Sequence, residues 1–376
     1  MIYYTGEVQN RRVTMTRHLY CCQNTAQEYL YHIVGVPDDF DVKESCLAGA
    51  GKQDFIAGLK ALTAIVKNIY ADMIVYPSEY GFPLIEDIEY RPFNPKVTGS
   101  SNAPNRLITI LNILVQCGKL LNDGIVVDIN VFAEMCKAQT KVYFKTTNSH
   151  FIFQKLIDFG FVIDGFDGKK FDKKKDTFTL SYPNDNRVVR ALYYYMKDLP
   201  LNKGSVMSMH YIHAAAFENT SGDYYKLLFG EYLSGDERVF FKRLHEYTEI
   251  LKITCVSENN FVLRYLFKPK DKLQFMSCCL RDGKLTVSLR LNKFKNIYSY
   301  TEYLDELPEH MKLVFHNAVQ CRGLNCKYYS EDCQAHRDYI LDERFYRMCS
   351  FAQTLDFTSF KPDEVEYFMR LISYEY

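Results

Sequence analysis

The stretch SHFIFQKLIDFGFVIDGFDGKKFDKKKDTFTLS, residues 149–181, decides the fold because its periodicity changes along its length. Phe153, Leu156 and Ile157 recur at helical spacing, so a helix capped by Ser149 is predicted to run to Gly160, with the glycine in the C′ position. Phe161–Asp164 then reads as a strand, and Thr177–Ser181, stopped by Pro183, reads as a second. Between them lies a polar loop, residues 165–176, carrying Lys169, Lys170, Lys173, Lys174 and Lys175 interleaved with Asp167, Asp172 and Asp176.

Working outward, Leu107, Ile110, Leu111 and Leu114 repeat at i, i+3, i+4 and i+7, predicting a helix from Pro104 with Gly118 as its stop. Asp128 is placed to cap a second helix through Ala138, with Val131, Phe132 and Met135 inward. A helix over about 186–198 closes the segment. Three helices followed by a two-stranded hairpin with a charged tip resembles a winged-helix domain over residues 104–200. The resemblance implies DNA or protein contact in transcription regulation, the third helix entering the major groove and the hairpin tip touching the backbone. The matching nucleic-acid-binding positions are Lys155 on the helix and Lys169, Lys170, Lys173, Lys174 and Lys175 on the tip. The helix offers no arginine, the commonest reader of guanine edges, and the tip aspartates dilute its positive field. Protein contact is therefore weighed beside nucleic-acid contact.

The chain has 376 residues, 46 basic and 46 acidic, so its formal net charge is zero. Residues 104–200 hold 14 basic and 10 acidic residues, a local surplus of only four, below what a strong nucleic-acid binder shows. The composition excludes collagen, coiled coil and disorder, and no apolar run approaches a membrane span. The beginning of the chain has no leader-like apolar run, so a cytoplasmic protein with reduced cysteines is expected. With 30 Tyr and 27 Phe but no Trp, aromatic rings are abundant enough to furnish cores and a homo-oligomer surface.

RPFNPKVTGSSNAP, residues 91–104, is the clearest linker. The expected organisation is α+β and multi-domain: a mixed N-terminal region at 1–98, the 104–200 segment, a helical connector at 201–250, and an α+β domain at 251–376. In the first region Thr25–Val34 and Asp54–Tyr70 read as helices, the latter with Leu59, Leu62, Val66 and Ile69 on one face. Met73–Tyr76 and Ile85–Tyr90 read as short strands.

Beyond residue 260, Phe261–Phe267 and Leu273–Leu280 read as strands, and Asp282-Gly283 as a hairpin turn. The next strand alternates Leu285, Val287, Leu289 and Leu291 with Lys284, Thr286, Ser288 and Arg290, which predicts one buried and one wet face. Helices are expected at 300–306, 308–317 and 363–372, the last begun by Pro362. Cys321, Cys326, Cys333, His336 and Cys349 fall close together in the spacing C-x4-C-x6-C-x2-H-x12-C. Zinc takes four sulfur or nitrogen ligands, and this set can supply them, so a structural zinc is expected with Cys326, Cys333, Cys349 and either Cys321 or His336. The competing readings are buried packing cysteines, or a functional metal-handling centre. Residues 255–376 also resemble a family of uncharacterised bacterial domains, through this Cys-rich segment and Leu355–Pro362, which implies a small antiparallel sheet and a metal.

The adjacent pairs Cys21-Cys22 and Cys278-Cys279 read as packing residues. His210 and His213 sit three apart, with Glu218 near, a spacing common by chance. Gly49-Ala-Gly-Lys52 lacks the earlier glycine and the following hydroxyl of a phosphate loop. No catalytic motif favours an enzyme.

Overall fold

A computed structural model describes residues 23–33, 35–47, 51–81, 104–140, 149–172, 174–197, 222–233, 235–258, 262–266, 274–281, 283–290, 301–318, 336–349 and 354–375. The architecture is α+β, and the chain forms two compact units, residues 1–218 and 219–376. Among the described residues no helix is long and apolar enough to cross a membrane.

The first unit begins with α1 (Gln23–His32), α2 (Glu44–Leu47) and α3 (Lys52–Val75), followed by a 3-10 turn at Pro77–Tyr80. Leu59, Leu62, Val66 and Ile69 are all buried, as their spacing predicts. Helix α3 runs through Met73–Val75, so the strand expected at 73–76 is helix. Met73 is buried while Val75 and Tyr76 are exposed, so the helical hydrogen bonding and not a continued apolar face carries the end of α3: Tyr76 N–H still donates to the Asp72 carbonyl. The strand expected at 85–90 lies outside the described residues.

Next come α4 (Asn105–Cys117), β1 (Gly118–Leu121), β2 (Gly124–Asp128), α5 (Ile129–Thr140), α6 (Ser149–Asp158), β3 (Val162–Asp164), β4 (Thr177–Ser181) and α7 (Asn186–Met196). Helix α4 is buried all round from Leu107 to Val115, a core helix rather than an amphipathic one. Asp128 Oδ1 accepts from the Asn130 and Val131 amides, the expected cap. Phe132 is buried, but Val131 is exposed, contrary to expectation, because it follows the cap on the solvent side of the first turn. Helix α6 ends in a Schellman motif: Gly160 at φ +95°, with Phe161 N–H on Leu156 O and Gly160 N–H on Ile157 O.

The strands form an antiparallel sheet in the order β1-β2-β4-β3. Strands β1 and β2 are additional to those the sequence reading found. Helix α7, capped by Asp185, packs on α3 so closely that a Cβ on Gly58 would lie 2.3 Å from the Arg187 carbonyl oxygen.

In the second unit α8 (Gly222–Tyr232) and α9 (Gly235–Ile250) precede β5 (Thr254–Glu258), β6 (Val262–Leu266), β7 (Gln274–Arg281) and β8 (Lys284–Leu289). Then follow α10 (Thr301–Asp305), α11 (Glu309–His316), β9 (His336–Leu341), β10 (Arg344–Cys349), β11 (Leu355–Thr358) and, after a 3-10 turn at Pro362–Glu364, α12 (Val365–Glu375). Five strands make one antiparallel sheet, β11-β8-β7-β6-β5, while among the described residues β9 and β10 pair only with each other. The wet face expected for β8 survives only at its ends: Lys284 and Arg290 are exposed, but Thr286 and Ser288 are buried along with Leu285 and Val287. The strand lies inside the sheet between β7 and β11, with α9 packed on it. Phe240 of α9 stacks on Phe360 at 4.1 Å and meets Phe368 edge-on, so this helix belongs to the core of the second unit. Cys278 and Cys279 are both buried, on opposite faces of β7.

Candidate interface of residues 104–197

The loop between β3 and β4 is not a loose polar tip. Phe166 and Phe171 face each other across an isolated bridge and pack on Phe153 at 5.4 and 5.2 Å. Phe171 also stacks on Phe178 at 4.3 Å, and Phe132 closes the cluster. Five phenylalanines from two helices, a strand and the loop thus anchor the hairpin. Its aspartates shape the turns: Asp167 Oδ1 accepts from the Lys169 and Lys170 amides, and Asp172 Oδ1 from the Lys174 amide. The two backbone donors hold the Asp167 carboxyl below the usual carboxylate range.

The sequence-nominated lysines separate into two groups. Lys169, Lys170, Lys174 and Lys175 are exposed on the hairpin tip, and Lys175 Nζ is held 2.9 Å from Asp164. Lys173 lies outside the described residues. Lys155 is not on the surface. It is 8% exposed, its ammonium 2.9 Å from Asp72, bonded to Glu79 and 5.2 Å above the Tyr80 ring. Burial works against the charge, but the bonds to Glu79 and Asp72 outweigh it and raise the Lys155 pKa. Tyr80 donates to Asp72 at 2.8 Å, completing the cluster. A Cβ on Gly81, at φ +67°, would meet the Phe151 ring at 2.7 Å. The 77–81 turn therefore lies against α6, the helix nominated for the major groove.

The exposed residues of α6 are Gln154 and Asp158, bonded to each other at 3.0 Å, with His150, Phe151 and Ile157 partly exposed. With Glu79 half-exposed beside them, this face is acidic and would repel phosphates. The hairpin tip instead offers a depression of about 470 Å³ lined by Phe166, Phe171, Asp167, Asp172, Lys170 and Lys174. Apolar rings rimmed by both signs of charge suit a protein surface better than a polyanion.

In the cysteine segment, Cys321, Cys326 and Cys333 lie outside the described residues. His336 and Cys349 are backbone register partners, the outermost pair of the β9–β10 hairpin. Among the described residues no group of three or more metal-ligating side chains is assembled. Two cysteines of the first unit are held as thiols: burial pushes Cys136 up to about 12, and burial with Asp128 pushes Cys117 up to about 11. The histidine spacing at 210–213 and Glu218 also falls outside the described residues.

Comparison of the chain with protein-family models, curated proteins and solved structures gives no match.

Proposed function

We propose that residues 104–197 are a winged-helix module of a cytoplasmic regulatory protein, used to bind a protein partner rather than to read DNA. The element order helix, two strands, two helices, then a β3–β4 hairpin supports the module, with β2 pairing β4 inside the four-stranded sheet. The observation that carries the choice of partner is Lys155. Its cation is neutralised inside the protein by Asp72 and Glu79, and the surrounding surface is acidic.

A duplex DNA titration against salt tests this, comparing the wild type with a Lys169/Lys170/Lys174→Ala variant. Sequence-independent binding is weak at physiological salt, about 10⁻⁴–10⁻⁶ M. The wild type is expected no tighter than that, and the variant the same. Binding about 10³-fold tighter, with a log–log salt slope that flattens by about 2.7 when three phosphate contacts are removed, would overturn the reading.

For the second unit we propose a structural zinc held by four of Cys321, Cys326, Cys333, His336 and Cys349. The cross-strand placement of His336 and Cys349 supports it, because a hairpin can present two ligands to one ion. Elemental analysis is expected to find one zinc per chain, resistant to chelator and lost in Cys326→Ser/Cys333→Ser together with stability. A loosely held metal, released without unfolding, would favour a metal-handling centre instead.

A further inference from the structure

Helix α11 and the β9–β10 hairpin bring together three groups that no sequence motif announces. His316 Nδ1 lies 2.7 Å from Tyr346 Oη, and His316 Nε2 lies 2.9 Å from Asp342 Oδ2. A carboxylate can only accept, so in the neutral imidazole Nε2 carries the proton and Nδ1 is left to accept from the tyrosine hydroxyl. The arrangement is a hydroxyl, a base and a carboxylate that orients the base. Asp342 is fixed in turn by Lys312 Nζ at 3.6 Å, and its amide donates to Asp305 at 3.2 Å. The Tyr346 ring stacks on Tyr339 at 5.1 Å and meets the His316 ring edge-on at 5.5 Å, which limits its motion.

The backbone is strained at the same place. Leu341 pairs with Arg344 across a two-residue turn in which Asp342 and Glu343 have φ of +47° and +61°. Turns of this kind favour Asn and Gly, and a non-glycine pair stores strain. Here the strained residue is the one whose carboxylate orients the histidine.

We propose that Tyr346 is an activated nucleophile, with His316 as its base and Asp342 as a positioning residue, reactive towards carboxylic esters of good leaving groups. Tyr346 Oη attacks the ester carbonyl carbon, forming an Oη–C bond, while its proton passes to His316 Nδ1. The ester C–O bond breaks, and the departing oxygen takes the proton from His316. Water then attacks the acyl carbon and gives a proton to His316 Nδ1; the acyl–Oη bond breaks, and Tyr346 Oη takes that proton back as the carboxylic acid leaves. His316 is a quarter exposed, so the site is open to small substrates.

The test uses p-nitrophenyl acetate on the full chain, following p-nitrophenolate release and mapping acetylated residues by mass spectrometry. The expected result is a burst approaching one equivalent, with acetyl on Tyr346 at least tenfold faster than on the exposed Tyr76. Tyr346→Phe removes the burst. His316→Ala slows it by at least tenfold, within the usual range of general-base contributions, and added imidazole restores it. Asp342→Asn slows it less. Acetylation of Tyr346 no faster than of Tyr76, or a rate unchanged in a folded His316→Ala variant, would overturn the proposal. If His316→Ala does not fold, the site distribution in the wild type and the burst in Tyr346→Phe decide it alone.

Discussion

Lys155 shows how one environment redirects a charge. A lysine on a third helix reads as a phosphate contact until Asp72 and Glu79 are found beneath it. Removing one member of such a cluster leaves charge uncompensated, and full burial costs about 3–5 kcal/mol. Glu79 is half-exposed, so Lys155→Ala is expected to cost less, roughly 1–3 kcal/mol, read by chemical denaturation. Because the folded pKa of Lys155 is raised, the stabilisation is complete below the unfolded lysine value and is lost as pH rises through the folded one. Asp185 gives the opposite sign. Its bond to Arg187 holds its carboxyl down, so its contribution is present above the unfolded aspartate value and is lost as pH falls through the folded one. Asp185→Ala removes the α7 cap and is expected to cost about 1 kcal/mol near neutrality. Gly58→Ala would force a methyl into the Arg187 carbonyl and is expected to cost about 1–3 kcal/mol, seen as a lower Tm.

Helices with a clean apolar period and a side-chain or glycine stop were legible from residues alone. Examples are α4 between Pro104 and Gly118, α5 behind Asp128, and α6 before Gly160. The misses have physical causes. At 73–76 a short apolar run with β-branched residues favours strand locally, but the hydrogen-bonded turns of α3 continue through it, with Met73 buried and Val75 and Tyr76 left exposed. The β1–β2 hairpin hid because Gly118 both ends α4 and begins β1; Asn122-Asp123-Gly124 was the turn signal that could have revealed it. Strands β9 and β10 mix charge and aromatics without alternation, and their turn is Asp-Glu rather than Asn-Gly. For that reason Tyr346, His316 and Asp342 were missed: residues 30 positions apart met only through the hairpin.

At the scale of the whole molecule, the chain divides into two compact units. In the first, the 52–81 segment is part of the candidate module's surroundings: α3 packs on α7, and the following turn covers part of α6. No local pattern could show this, since composition marks the linker at 91–104 but not which helices meet across it. Under the proposed partner-binding role, the surface offered by this segment is the anchored hairpin tip. A photocrosslinking residue placed at Lys169 and activated in living cells tests that claim most directly. The account predicts a discrete adduct sensitive to protease and indifferent to nuclease. Adducts removed by nuclease, or no adduct at all, would contradict it.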